Sequence, residues 1–159
     1  GLKFVNVYGP NEGHKGAMQS VAAQVWPSVR DGHVVQLFRS YREGIPDGGQ
    51  KRDFVYVRDV ADVVAWLLAS PQVNGVFNLG SGQARSFEDL ARAVFTAAGQ
   101  RAQIDYIPMP TAIRDHYQYF TEARMERLAS AGYSGALTSL EDGVADYVRN
   151  YLATDDPYR

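Results

Sequence analysis

The residues best suited to chemistry lie in a short loop, Asn11 to Met18, where Lys15 stands close to Gly13 and Gly16. Glycines on both sides let the backbone approach a ligand. A helix is predicted to follow, so the lysine would lie near the N-terminus of that helix. A lysine in a loop is more often simply solvated, because charged side chains prefer water. The loop by itself leaves a ligand contact and a solvated lysine as open alternatives.

Lysine is scarce, so patterns that need one are quickly tested. The 16 basic residues include only Lys3, Lys15 and Lys51, and the rest are arginines. One well-known arrangement pairs a proton-exchanging tyrosine with a lysine four residues later, which lowers the pKa of the phenol. None of the ten tyrosines has a lysine at that spacing. That tyrosine and lysine pair is therefore not in this chain.

A second candidate is Arg52, which follows Lys51 and precedes the apolar run of residues 54–57. An arginine at the end of a polar loop can grip a diphosphate through two parallel hydrogen bonds. The alternative is that Arg52 and Asp53 pair with each other or with neighbours at a sheet edge, which contributes little when exposed. The residues alone leave both interpretations open.

Residues 80–85, Gly-Ser-Gly-Gln-Ala-Arg, resemble a dinucleotide-binding fingerprint, with Asp105 at roughly the spacing of the ribose-binding acid. The third glycine of that fingerprint permits close packing of helix on strand, and Arg85 occupies its place. We therefore interpret this segment as an ordinary turn between a strand and a helix, and we expect the glycines that bind a cofactor to lie outside this chain.

Other catalytic classes find little support. The chain has no cysteine, which excludes disulfides, thiolate nucleophiles and cysteine-ligated metals. His14, His33 and His116 lie in different predicted elements without a ligand partner at helical spacing, so no metal site is predicted. No serine lies in a Gly-x-Ser-x-Gly elbow.

The composition of the chain limits the classes of partner that it can bind. The chain has 159 residues, 45% of them hydrophobic and 21% charged, with a formal net charge of -2. This length predicts a single domain, 1–159, with its own core, and the charge offers no basic field for nucleic acid. No apolar run reaches the roughly 18 residues of a membrane span, and nothing resembles a secretory leader. We therefore expect no membrane partner and a cytoplasmic location.

Hydrophobic periodicity predicts alternating strands and helices. The expected strands are residues 2–8, 34–38, 53–57, 76–79 and 104–107. The expected helices carry the apolar stripes Met18 to Val29, Val60 to Leu68 and Phe87 to Ala98, and two more are capped by Thr121 and Thr138. The alternation predicts an α/β fold with parallel pairing, in which the first strand belongs to a larger sheet. The polar stretch 39–52 is long enough to indicate a functional or mobile loop.

Several motifs together identify a family. Residues 4–10 and 52–61, Phe-Val-Asn-Val-Tyr-Gly-Pro and Arg-Asp-Phe-Val-Tyr-Val-Arg-Asp-Val-Ala, resemble two signatures of extended short-chain dehydrogenases that act on nucleotide sugars. Residues 12–18, 78–82 and 114–121 are similar in detail to the ADP-L-glycero-D-manno-heptose 6-epimerase family, and the likeness runs through nearly all of the chain.

The resemblance implies that this chain is the C-terminal substrate-binding portion of such an enzyme, with a strand of the Rossmann sheet at its N-terminus and the NADP-binding Rossmann portion absent. The family inverts C6'' of ADP-heptose, a lipopolysaccharide core precursor, by NADP-dependent oxidation and re-reduction from the other face. Two proton-transfer groups are then needed, because one base cannot reach both faces. In the family these are a tyrosine, here upstream of Gly1, and the residue that matches Lys15.

Carried over position by position, the resemblance implies that Lys15 is catalytic and touches the cofactor together with Val7. It places the ADP-sugar among Asn6, Ala17, Gln24, Phe38, Arg39, Ser40, Tyr41, Arg52 and Tyr117. Ala17 and Gln24 depart from the serine and histidine expected of the family. A lysine suits the catalytic position because an arginine would stay protonated.

From these motifs we expect an NADP-dependent 6-epimerase as the parent protein, inactivity of this chain alone, and a homo-oligomer. Two alternatives remain open. One is the substrate domain of another nucleotide-sugar epimerase, dehydratase or reductase. The other is a non-catalytic nucleotide-sugar-binding or assembly domain.

Overall fold

The computed structural model describes residues 1–155. Its strands are β1 (Leu2–Phe4), β2 (Asn6–Tyr8), β3 (Val35–Phe38), β4 (Lys51–Tyr56), β5 (Phe77–Leu79), β6 (Ala84–Ser86) and β7 (Ile104–Ile107). Its α-helices are α1 (Val21–Arg30), α2 (Val57–Ala69), α3 (Phe87–Ala97), α4 (Thr111–Arg114), α5 (Glu126–Ser130) and α6 (Leu140–Tyr147). A 3₁₀ segment, Gly13–Met18, precedes α1, and a π-helical segment, Val148–Leu152, follows α6.

Parallel pairing dominates the sheet structure, as the alternation of elements predicts. β1 pairs with β5, β2 with β4, and β3 with β7, all in parallel. β4 also pairs with β6 in antiparallel orientation, which places Arg52 opposite Arg85. The short strand β6 carries no periodicity of its own and was not expected from the sequence.

The prediction of one strand over residues 2–8 is wrong. The strand divides at Val5, whose amide donates to the carbonyl of Leu79 at 3.2 Å and whose carbonyl accepts from Val7 at 2.9 Å. β1 pairs with Phe77–Leu79, whereas β2 pairs with Phe54–Tyr56. The first eight residues therefore join two different sheets.

The prediction that the first helix includes Met18 is also wrong. Met18 ends the 3₁₀ segment and is 83% exposed. A kink at Gly16, with φ 54° and ψ −124°, separates this segment from α1. Such a φ suits glycine because it has no Cβ to clash with the backbone. Ser20 then caps α1 by accepting from the amide of Ala23 at 3.4 Å.

Of the predicted helix caps, the one at the start of α3 is confirmed. Ser86 and Asp89 form a reciprocal capping box, with each side chain accepting from the other residue's backbone amide. Thr121 begins no helix, so that prediction is wrong. Ser139 rather than Thr138 caps α6, because the Thr138 hydroxyl donates to Asp59 at 2.7 Å instead.

Two apolar clusters stabilise these elements. The larger lies where α1, α3 and α6 meet β3 and β4, and includes Val29, Phe95 and Val144, all fully buried. The smaller joins Val63 of α2 to β5 and α5. Within residues 1–155, no helix is both long and apolar enough to span a membrane.

The carboxylate of Asp53 ties three segments to β4. Its residue is 0% exposed, yet Oδ1 accepts from the Ser81 amide and hydroxyl, both at 2.6 Å. Oδ2 accepts from the amides of Gly82 at 3.0 Å and Ala123 at 2.9 Å. A Cβ at Gly80 would overlap this carboxylate, so the turn must contain glycine there. Four donors offset the cost of burying the charge.

Asp53→Asn should destabilise the chain by about 3 kcal/mol, because its amide nitrogen would face the amides of Gly82 and Ala123 and leave donors unsatisfied. Asp105→Asn is the matched control, since Asp105 is exposed on β7. Urea unfolding monitored by circular dichroism measures both variants. Equal stability of the two variants would contradict a central role for Asp53.

An apolar surface is exposed beside β1. Phe4 is 49% exposed, Val64 39%, Leu68 79% and Val76 62%. Phe4, Val64 and Leu68 line a shallow cavity of about 370 Å³. Within the described residues β1 pairs only on its β5 side, so its other edge has unpaired backbone groups. Open edges and apolar patches of this kind favour association.

We therefore predict that the chain self-associates or exchanges strands through this surface. Leu68→Lys should shift the population towards monomer, because a charge would be buried in any such contact. Light scattering with size-exclusion chromatography measures the mass. Arg101→Lys, at an exposed position elsewhere, is the control. A monodisperse monomer of the unaltered chain would contradict the prediction.

Candidate functional site

A cavity of about 390 Å³ lies between α1 and β3. Three of the residues predicted to bind the substrate line it: Gln24, Phe38 and Tyr117. The rest of the lining comes from Val21, Val25, Ser28, Val34, Val35, Gln36, Leu37, Gln50 and Phe87. The mixture of apolar walls and a few polar groups is typical of a small-molecule site.

Arg52 lies at the edge of this cavity, between two aromatic rings. Its guanidinium carbon is 5.5 Å from the ring centroid of Phe87 and 5.3 Å from that of Tyr117. Desolvation lowers the pKa of Arg52 below its usual value, although the facing Tyr117 opposes the shift. Burial likewise raises the pKa of the Tyr117 phenol.

Arg52 does not pair with Asp53. Its side chain donates to the carbonyl of Lys51 at 2.9 Å, while the Asp53 carboxylate accepts from the other side of the strand. Of the two forms of the alternative, a pair between Arg52 and Asp53 is therefore wrong, whereas Asp53 does pair with neighbouring segments. Most of the guanidinium donors have no protein acceptor in the described structure and are free to bind an anion.

Phe38 ends β3 and lines the cavity, and Arg39, Ser40 and Tyr41 follow it in the chain. Arg39 donates to the carbonyl of Tyr106 at 3.0 Å, and the Ser40 amide donates to Asp47 at 2.7 Å. The Tyr41 amide donates to the Tyr119 hydroxyl at 2.9 Å. These contacts give the first part of the long polar loop a defined conformation.

Arg114 stacks on Tyr41, with its guanidinium carbon 3.7 Å from the ring centroid. The same side chain donates to the carbonyl of Met109 at 2.9 Å. Tyr117, three residues further, makes an edge contact with Phe38 at 6.3 Å between ring centroids. Residues 109–119 therefore pack against residues 38–41 and bring the two predicted substrate-binding segments together.

Lys15 lies in the 3₁₀ segment with its side chain 42% exposed. Its Nζ is 3.9 Å from Oε2 of Glu12, and its amide donates to the Glu12 carbonyl at 3.0 Å. The Glu12 side chain is buried, although it belongs to the same loop. The exposed amine of Lys15 thus forms an ion pair with the buried carboxylate of Glu12.

Gln24 and Ala17, two of the residues predicted to bind the substrate, contact each other. The side-chain amide of Gln24 donates to the carbonyls of Ala17 at 3.3 Å and Gln19 at 2.7 Å. Gln24 also lines the cavity between α1 and β3, so it connects the cavity wall to the segment that carries Lys15. The amide thereby attaches this segment to α1.

Asn6 and Val7 lie elsewhere on the surface. Both are in β2, opposite Phe54 and Val55 of β4. Asn6 lines a second cleft of about 850 Å³ together with Lys3, Asn78 and residues 118 and 120–124. Asn6 does not line the cavity beside Arg52. The predicted roles of Asn6, Val7 and the other carried-over residues stay predictions.

The turn that resembles a dinucleotide fingerprint has another use in this structure. The amides of Ser81 and Gly82 donate to Asp53, so they are not available to a cofactor pyrophosphate. Arg85, in place of the third glycine, pairs with Asp89 and Glu141. The geometry agrees with the interpretation of an ordinary turn. Within residues 1–155, no cluster of three histidine or carboxylate side chains is placed to hold a metal.

Sequence reasoning did not single out Glu12, Gln50, Phe87 or Arg114 as site residues. The buried side-chain amide of Gln50 donates to the carbonyl of Arg39 at 3.2 Å, and Phe87 stacks on Arg52. Phe87 belongs to the apolar stripe of a helix, and that pattern predicts a core residue rather than a residue that lines a binding site. For Glu12, the sequence does offer a signal, because an acidic residue three positions before the candidate lysine can pair with it.

The chain belongs to the NAD dependent epimerase/dehydratase family, whose model matches residues 1–80. A relative from Nitratidesulfovibrio vulgaris (strain DP4), an ADP-L-glycero-D-manno-heptose-6-epimerase, is 52% identical over 157 residues. The alignment covers 99% of this chain and 49% of that relative. The chain spans about half the length of the curated relatives it matches. These relatives confirm the resemblance seen in the motifs.

Solved structures agree on the fold. The Helicobacter pylori ADP-L-glycero-D-manno-heptose-6-epimerase is 30% identical, with a TM-score of 0.76 over 94% of this chain and 43% of that one. The Thermus thermophilus UDP-glucose 4-epimerase in complex with NAD is 28% identical, with a TM-score of 0.70 over 93% and 45%. The predicted α/β fold of nucleotide-sugar epimerases is therefore confirmed.

The geometry of Arg52 predicts that the chain binds inorganic pyrophosphate. Arg52→Met should weaken that binding about tenfold or more, since a charge-assisted hydrogen bond contributes about 1.5–3 kcal/mol. Arg52→Lys should recover only part of the affinity, because lysine keeps the charge but not the planar fork. Isothermal titration calorimetry measures the affinities, with Arg101→Met as control. An unchanged affinity of Arg52→Met would contradict the assignment.

Proposed function

We propose that this chain supplies the nucleotide-sugar-binding part of an NADP-dependent epimerase that inverts C6'' of ADP-glycero-manno-heptose, a precursor of the lipopolysaccharide core. The observation that carries the proposal is the cavity beside Arg52, in a chain 52% identical to a curated epimerase of that name. The site offers a cationic fork for a diphosphate and apolar walls for the groups on either side of it.

Lys15 is proposed as one of two proton-transfer groups. Oxidation of the C6'' hydroxyl removes a hydride from carbon and a proton from oxygen, and re-reduction from the other face returns both. Inversion places the hydroxyl on opposite sides in the two steps, so a second group must exchange the proton. Lys15 is suitable because its amine is exposed and lies in a loop attached to α1.

A nicotinamide cofactor, when bound, would accept and return the hydride. Val7, in the middle of β2, and Lys15 are the residues of this chain proposed to touch it. The pyrophosphate of such a cofactor finds no cradle at residues 80–82, because those amides bind Asp53. The cofactor would therefore be held mainly by protein outside these residues.

Turnover can be tested in a fusion that joins this chain to the part of the Nitratidesulfovibrio vulgaris relative that it does not match. We expect the fusion to epimerise ADP-heptose with NADP and the 159-residue chain alone to be inactive. ADP binding by the chain alone, with no turnover in the fusion, would instead favour a non-catalytic binding domain. Turnover of a different nucleotide sugar would favour another epimerase, dehydratase or reductase.

Lys15→Met in that fusion should lower kcat by about 10²-fold or more, since general acid–base groups contribute on the order of 10² to 10⁴. The Kd for ADP should change little, because Lys15 is proposed to act at the sugar. Lys51→Met is the matched control, with the side chain of Lys51 exposed on another segment. Full activity of Lys15→Met would remove Lys15 from the proposed mechanism.

A further inference from the structure

Glu12 is a buried carboxylate close to the proposed proton-transfer lysine. Its residue is 3% exposed, although the loop around it, including Lys15, is exposed. A charge can be buried only when hydrogen bonds and an opposite charge offset the loss of water. The groups that face Glu12 therefore indicate why it is there.

Three donors from two distant parts of the chain meet this carboxylate. Oε1 accepts from the Ser20 hydroxyl at 2.6 Å and from the Tyr147 hydroxyl at 3.0 Å. Oε2 accepts from the Ser20 amide at 2.7 Å. Ser20 caps α1 and Tyr147 ends α6, so Glu12 joins its loop to both helices.

Lys15 is the cation that the described structure pairs with Glu12. The ammonium nitrogen lies 3.9 Å from Oε2, and the Lys15 amide donates to the Glu12 carbonyl. Gly16 then turns the chain sharply, so Lys15 is held between the Glu12 contact and a kink. The backbone and the side chain of Lys15 therefore both contact Glu12.

We propose that Glu12 is a positioning residue that fixes the amine of Lys15 relative to α1. The inference rests on the proposed function of Lys15. Effective proton transfer needs the amine within hydrogen-bond reach of the substrate hydroxyl, and small displacements are costly. The carboxylate acts through Lys15 and does not itself touch the reacting atoms.

The test is a double-mutant cycle in the fusion enzyme with ADP-heptose and NADP. Glu12→Gln keeps the size of the side chain but removes the negative charge that attracts the ammonium group of Lys15. We expect kcat to fall about tenfold to a hundredfold, with KM within about twofold, because only the position of the amine changes. In a Lys15→Met background, Glu12→Gln should cause no further loss of kcat.

Tyr147→Phe is the matched control. It removes a hydroxyl from Oε1 of Glu12 and leaves Oε2 facing Lys15. It should lower the melting temperature while kcat stays within about twofold. If Tyr147→Phe lowered kcat as much as Glu12→Gln, or if Glu12→Gln acted equally in both backgrounds, the role of Glu12 would be structural and the inference wrong.

Should Glu12→Gln fail to fold, Ser20→Ala tests the same point, because it removes the hydroxyl that joins Glu12 to the start of α1 at 2.6 Å. A loss of kcat that disappears in the Lys15→Met background would support the inference, and an additive loss would overturn it. The proposed function is judged separately by Lys15→Met alone. Full activity of that single variant would refute both, whereas a dead Lys15→Met with an unaffected Glu12→Gln would refute only the positioning role.

Discussion

The need to satisfy buried carboxylates organises this structure. Asp53 lies in the middle of β4, where it is surrounded by protein, and it holds the residue 80–82 turn and Ala123 through four hydrogen bonds. A charge without these donors would cost far more than any single contact returns. The turn, the following strand β6 and the 121–125 segment therefore cannot move independently of the strand that presents Arg52.

The same constraint appears at two other points. Asp59, 4% exposed at the start of α2, accepts from the amide and hydroxyl of Thr138. These bonds join the residue that precedes the N-cap of α6 to α2. Glu12 joins the candidate lysine loop to α1 and α6. Each carboxylate links segments that are far apart in sequence. Together they connect the residues proposed for chemistry to the apolar cluster behind them.

The cavity combines an apolar wall with a charged and aromatic edge. β3 and α1 supply an apolar wall that belongs to the main core, while Arg52, Tyr117 and Phe87 form a cationic and aromatic edge. Arginine is suited to that edge because its planar group stacks on rings and still offers donors. The stacking of Arg114 on Tyr41 closes the neighbouring loop without a covalent or metal link.

The sequence by itself determined the local elements: the capping box of Ser86 and Asp89, the strands β3 and β7, and the motifs whose family likeness the relatives confirm. Such features are encoded within a few residues, where periodicity and caps act. Tertiary structure decided the split at Val5, the exclusion of Met18 from α1, and the use of the glycine turn by Asp53. The donors to Asp53 lie 28 to 70 residues away, and the Tyr147 donor to Glu12 lies 135 residues away. No local pattern can specify partners at that separation, because they meet only when the core has packed.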